Sequence, residues 1–171
     1  MLLWPVFDTI FRLEIVSLII DTQGCATEPT IIERLLAAIA EEEISINAVI
    51  VDKRCIIRPP ADTETIYRTA IAQAVLHAVS VHPRLDLCLD RRYTTQRQRD
   101  MLEWAIREHI AGVPDTVVLI RQEDSIQYKE LQVVDFIAWA FFQKYEREDD
   151  RFFQLIAHRV DGEEIIAQSI W

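Results

Sequence analysis

The chain has 171 residues, half of them hydrophobic and only three of them glycine, which points to one globular domain and excludes a disordered or fibrous chain. Its formal net charge of −10 opposes indiscriminate binding to nucleic acid, because a polyanion is repelled at long range. Cys25, Cys55 and Cys88 lie far apart with no Cys-x-x-Cys spacing, a pattern that reads as reduced thiols in a cytoplasmic protein.

The opening "MLLWPVFDTIFRLEIVSLII" is apolar but lacks a basic leader and a small-residue cleavage site. Asp8, Arg12 and Glu14 interrupt it, so neither a signal peptide nor a membrane span is expected. Within it, "EIVSLII" (14–20) is a β-rich run that ends in the turn-like "DTQG". The stretch "PTIIERLLAAIAEEE" places Pro29 at a helix start, with apolar residues at 31, 32, 35, 36 and 39. "ISINAVIVDK" (44–53) alternates and then runs apolar, as a strand does. After Pro59 and Pro60, residues 62–82 read as a long helix with Asp62 as its cap.

"RLDLCLD" (84–90) is a short strand, and 94–112 a helix with Thr94 or Thr95 near its cap and Gly112 past its end. "DTVVLIRQ" (115–122) is another strand, and residues 128–148 form the most apolar helix. The closing "DRFFQLIAHRV" and "DGEEIIAQSIW" read as a short amphipathic stretch, then a turn with a last helix or strand. This alternation is the pattern of an α/β layered sheet. In such sheets the groups at strand carboxyl ends face the ligand crevice.

Two acids stand out. With a period of two, Asp86, Cys88 and Asp90 share one strand face and Leu85, Leu87 and Leu89 the other, leaving Asp90 projecting at the carboxyl end. It either pairs with Arg91, Arg92 or Arg121, caps the following turn, or serves a site. From Val133 to Phe142 the only non-apolar residue is Asp135. Helical spacing groups it with Leu131, Ala138 and Phe142, so the expectation is an inward carboxylate that must be paired, protonated or bound to something. Two such acids converging at a sheet edge would offer hard oxygen ligands suited to Mg²⁺ or Mn²⁺.

Other signals are weaker. Arg84, Arg91, Arg92, Arg97 and Arg99 crowd residues 84–99 against only Asp86 and Asp90, which is either a solvated ion-paired face or a phosphate contact. His77, His82, His109 and His158 show no zinc spacing. Ser125 has no base tied to it by spacing and reads as a helix-entry residue, and Gln132 lies one turn before Asp135. No GxxxxGK, GxGxxG or GxSxG occurs, which disfavours P-loop NTPases, dinucleotide enzymes and serine hydrolases.

"LDLCLDRRY" followed by "DSIQYKELQVVDFIAWAFFQKYE" resembles the prokaryotic family called domain of unknown function 3800 (DUF3800), over roughly residue 30 to the end. Its members carry a strand ending in hydrophobic-Asp-Arg and, later, a Ser-containing loop before Leu-Gln-x-x-Asp on a helix. The resemblance implies a ribonuclease H-like α/β fold, a central mixed sheet flanked by helices, with 1–171 as one domain and 1–28 as its divergent N-terminal part. It implies a Mg²⁺- or Mn²⁺-dependent nuclease or phosphodiesterase, with Asp90 and Asp135 as metal-ligating acids. Asp21 then stands as the uncertain third acid, with Asp8 as its alternative. Lys53, Arg91, Arg92, Gln132 and Ser125 would lie on the phosphate side. The chain departs from the family in lacking the first-strand Asp-Glu-Ser-Gly, and "DTQG" replaces Glu-x-Lys-Gly, with Asp21 for Glu and Gln23 for Lys. The rival reading is therefore a non-catalytic interaction or oligomerisation module, self-associating through an exposed sheet edge.

Overall fold

Elements alternate between helix and strand in a computed structural model that describes residues 28–171. The run 14–20, and with it Asp8, Asp21, Gln23 and Cys25, lies outside the described residues. In chain order the elements are α1 (Pro29–Glu41), β1 (Ile46–Val51), α2 (Glu64–Val81), β2 (Arg84–Asp90), α3 (Gln96–Ile110), β3 (Val117–Glu123), α4 (Lys129–Glu146), α5 (Arg151–Ile156) and β4 (Val160–Ile166). A 3-10 turn, Lys53–Cys55, follows β1.

The described strands form two parallel pairs rather than one mixed sheet. β1 pairs with β4, from Ile46 against Val160 to Val51 against Ile166, and β2 pairs with β3, from Arg84 against Val117 to Asp90 against Glu123. Apart from Asn47, β1 is apolar because both of its faces are covered. Ile46, Ala48 and Ile50 pack with α1, α4 and α5, whereas Val49 and Val51 meet α2. Ala70 and Ala74, one turn apart on α2, let that helix approach Val49 closely. The adjacent face of α2 carries Ile71, Val75 and Val79, which join Leu87, Leu89, Leu102 and Ile106 in a second core. One helix thus bridges both strand pairs.

Among the described residues, the apolar face of β2 is the one packed into a core. Leu87 and Leu89 are buried while Asp86 and Asp90 are exposed, as alternation requires. Helix ends follow local chemistry: Pro29 opens α1, and Thr63 rather than Asp62 occupies the cap position of α2. Asp62 still serves as a cap, since its carboxylate accepts the Glu64 N–H at 3.1 Å. Among the described residues no helix is long and apolar enough to cross a membrane.

Candidate functional site

The carboxyl end of β2 gathers most of the chemistry. Asp90 Oδ1 accepts the backbone N–H of Ser125 at 3.3 Å, which ties the strand to the turn after β3. That turn closes on itself through Asp124 Oδ1, which accepts the Ile126 N–H at 3.0 Å. Gln132, in the first turns of α4, donates Nε2 to the carbonyls of Ser125 at 2.8 Å and Ile126 at 3.4 Å. These bonds hold α4 against the turn, one helical turn before Asp135. Ser125 and Gln132 therefore appear here as braces, with the Gln132 amide donating to backbone rather than to open space.

The arginines named as partners for Asp90 are engaged elsewhere. Arg121 makes two contacts with Asp86, at 3.0 and 3.1 Å, across the two strands. Arg91 Nη2 reaches Asp124 Oδ2 at 3.4 Å, and Arg92 Nη2 reaches Glu64 Oε1 at 3.2 Å. Lys53 is exposed in the turn after β1, where none of the described hydrogen bonds or ion pairs joins it to the acids.

Asp135 corrects one expectation. The buried face of α4 consists of Leu131, Ile137, Ala140 and Phe141, while Asp135 is exposed and Ala138 and Phe142 are only partly covered. A segment apolar all round does not reveal which side meets the core, so spacing alone misassigned the phase. No hydrogen bond or ion pair to Asp135 occurs among the described residues. Its carboxyl is raised above the ordinary 3.8, first by loss of solvent around it and then by the negative charge of Asp90. Open to water on one side, it is partly desolvated by protein and feels the charge of Asp90.

That shift has a sign that can be tested. Below about 3.8, the ordinary value, the acid is protonated whether the chain is folded or not, and it costs nothing. As pH rises past the folded-state value, the folded protein must carry a charge it disfavours, and stability is lost. Asp135→Asn is thus expected to raise the melting temperature at pH 7 in EDTA by about 1–2 °C, the response of a chain this size to a fraction of 1 kcal/mol. At pH 3 no gain is expected. Differential scanning calorimetry at both pH values checks this.

Beside Asp90 lies a cluster that sequence reasoning missed. Glu64, at the first position of α2, accepts the Tyr93 hydroxyl at 2.5 Å on Oε2 and Arg92 on Oε1. The Arg92 guanidinium sits 4.6 Å from the centre of the Tyr67 ring, which meets Tyr93 edge-on at 5.9 Å. The Tyr93 hydroxyl, and after it Arg92, holds the Glu64 carboxyl below its ordinary value. Burial pushes the Tyr67 phenol up to about 12, with Arg92 opposing and Asp90 adding to the rise. Tyr93 offered the only advance signal, because a buried tyrosine hydroxyl needs a partner.

No family model, no curated protein and no solved structure matches this chain. The site is therefore assigned a function from its own chemistry. The Asp90 and Asp135 carboxylates have no cation partner among the described residues, and hard oxygens of this kind would suit part of a Mg²⁺ or Mn²⁺ shell. Among the described residues no group of three or more His, Cys, Asp or Glu side chains is placed to hold a metal ion. A further carboxylate would have to come from outside them, where Asp21 and Asp8 lie.

Proposed function

We propose that this chain is a divalent-metal-dependent phosphodiesterase of the ribonuclease H-like type, a divergent relative of the DUF3800 family, acting on nucleic acid. One observation carries the reading: Asp135 on α4 feels the negative charge of Asp90 at the carboxyl end of β2, with no cation paired to either among the described residues. Holding two carboxylates together without a neutralising partner costs free energy. A structural ion pair would have supplied an arginine, and the three candidates, Arg91, Arg92 and Arg121, are committed to other acids.

In this reading Asp90 and Asp135 hold Mg²⁺ or Mn²⁺, and Asp21, or Asp8, completes the set. The bound ion would supply a water of lowered pKa and stabilise the leaving oxygen of a phosphodiester. The chain's own residues do the positioning. Ser125 N–H fixes one oxygen of Asp90, and Gln132 sets the height of α4 so that Asp135 faces that strand end. Arg91, Arg92 and Lys53 offer cationic contacts for phosphate oxygens.

A second reading has its own support. Only two acids converge among the described residues, the Asp-Glu-Ser-Gly segment is absent from the sequence, and each described strand has a single partner. A non-catalytic module that self-associates through a sheet edge fits these facts. Incubation of labelled single-stranded and duplex DNA and RNA with the protein in Mg²⁺ or Mn²⁺ separates the two. The enzyme reading expects metal-dependent hydrolysis abolished by EDTA. Intact substrates with every divalent ion, together with a dimer in sedimentation, would favour the module.

A further inference from the structure

The Glu64, Tyr67, Arg92 and Tyr93 cluster asks for an explanation beyond packing. Arg92 is held on one face by an aromatic ring and at one nitrogen by a carboxylate, yet about half of its side chain remains exposed. An arginine serving only to neutralise Glu64 has no need of the ring behind it. Glu64 is also occupied on its second oxygen by Tyr93, which is 5% exposed. The carboxylate is thus fixed from the core side and in turn fixes the guanidinium. Arg92 follows Asp90 by two residues, and its backbone N–H donates to the Asp90 carbonyl at 2.9 Å, which places the cation at the same strand end as that acid.

We propose that Glu64 and Tyr67 are positioning residues that hold Arg92 as a phosphate-binding arm, one that takes a backbone phosphate of a single-stranded nucleic acid next to the Asp90–Asp135 pair. The proposal rests on the phosphodiesterase reading for its substrate but concerns binding. A guanidinium backed by a ring presents a fixed fork to a phosphate, and its outer face can stack on an unpaired base. A contact of one arm, on a chain of net charge −10, suits one or two phosphates of a flexible strand better than a long duplex track.

The test measures binding, not turnover. Fluorescence anisotropy of a short fluorescein-labelled oligodeoxythymidylate in millimolar Ca²⁺ is followed across a salt series. Arg92→Ala is expected to weaken binding about tenfold, the scale of one charged hydrogen bond. It should also lower the slope of log affinity against log salt by about 0.7, the loss of one phosphate contact on a single strand. Arg92→Lys should keep the slope and recover part of the affinity. Glu64→Gln removes a negative charge beside the site, which on charge alone would strengthen binding to a polyanion. Positioning predicts the opposite, a weakening of about threefold, with the full slope retained. Tyr67→Leu should behave likewise, with circular dichroism showing each variant folded.

Unchanged affinity and slope in Arg92→Ala would overturn the proposal, as would tighter binding in Glu64→Gln or absence of binding by the parent protein. Arg92-dependent binding without hydrolysis in Mn²⁺ would sustain the arm and sink the phosphodiesterase. Hydrolysis with Arg92-independent binding would do the reverse.

Discussion

Asp90→Asn and Asp135→Asn are each expected to reduce Mn²⁺-dependent hydrolysis of a labelled oligonucleotide by about 10³-fold, the scale seen when a group stabilising transition-state charge is removed. Asparagine keeps the shape of the side chain and one oxygen, but it lacks the charge that holds a hard cation. The Ser125 N–H can still meet an amide oxygen at position 90, so the turn after β3 should survive. Because the two acids serve one centre, the double variant should be scarcely worse than either single one. Rates within tenfold of the parent in either single variant would show that the pair is not the site. The stability of the same proteins separates chemistry from folding: loss of turnover should accompany an unchanged or slightly raised melting temperature, as argued for Asp135.

Phe141→Ala should cause the largest loss of stability. Phe141 is 1% exposed, packs among Ile32, Leu36, Ile137 and Ile156, and meets the Phe153 ring at 5.2 Å between centres. Truncating such a ring loses its transfer free energy and leaves a cavity, at a cost of about 3–5 kcal/mol. For a chain of this size the melting temperature should fall by about 10 °C. The neighbour gives the contrast. Phe142 is partly exposed, with Arg147 over its ring at 5.7 Å, and Phe142→Ala should cost only about 1 kcal/mol. The difference measures the rotation of α4 about its axis, and that rotation decides whether Asp135 points to the core or to the mouth beside Asp90. Equal losses from both substitutions would mean the helix is turned otherwise, and the geometry of the acid pair would go with it.

What could be read in advance depended on how local the physics was. β2 appeared between its observed ends because alternating leucines and acids need no partner to announce a strand. Pro29 marked the first turn of α1 for an equally local reason. β4 stayed undecided between helix and strand because "VDGEEII" carries three acids that only the folded chain satisfies. Asp161 accepts the Ser45 hydroxyl, Glu163 accepts Lys144 at 2.8 Å and Tyr145 at 2.9 Å, and Glu164 lies 3.1 Å from His77. None of those partners is a sequence neighbour.

The site divides in the same way. Asp90 and Asp135 were conspicuous as acids in apolar surroundings, and the charge of Asp90 does reach Asp135, though the phase of α4 was misjudged. Glu64 sits in the first turn of α2, where any acid complements the helix dipole and no partner need be sought. Its bonds to Arg92 and Tyr93 bridge 28 and 29 positions of sequence, a separation that no periodicity can reveal. The single mixed sheet implied by the family resemblance is not seen among the described residues, whose strands form two parallel pairs.

Whether two carboxylates from β2 and α4 embrace one divalent ion is settled most directly by melting the parent protein and its Asn variants with and without Mn²⁺. At a hundred times its dissociation constant the ion should contribute about 2.7 kcal/mol to the parent, a rise of about 5–10 °C. Asp90→Asn and Asp135→Asn should abolish that rise while melting in EDTA no lower than the parent. A parent protein indifferent to Mn²⁺, or variants stabilised as fully as the parent, would contradict the account.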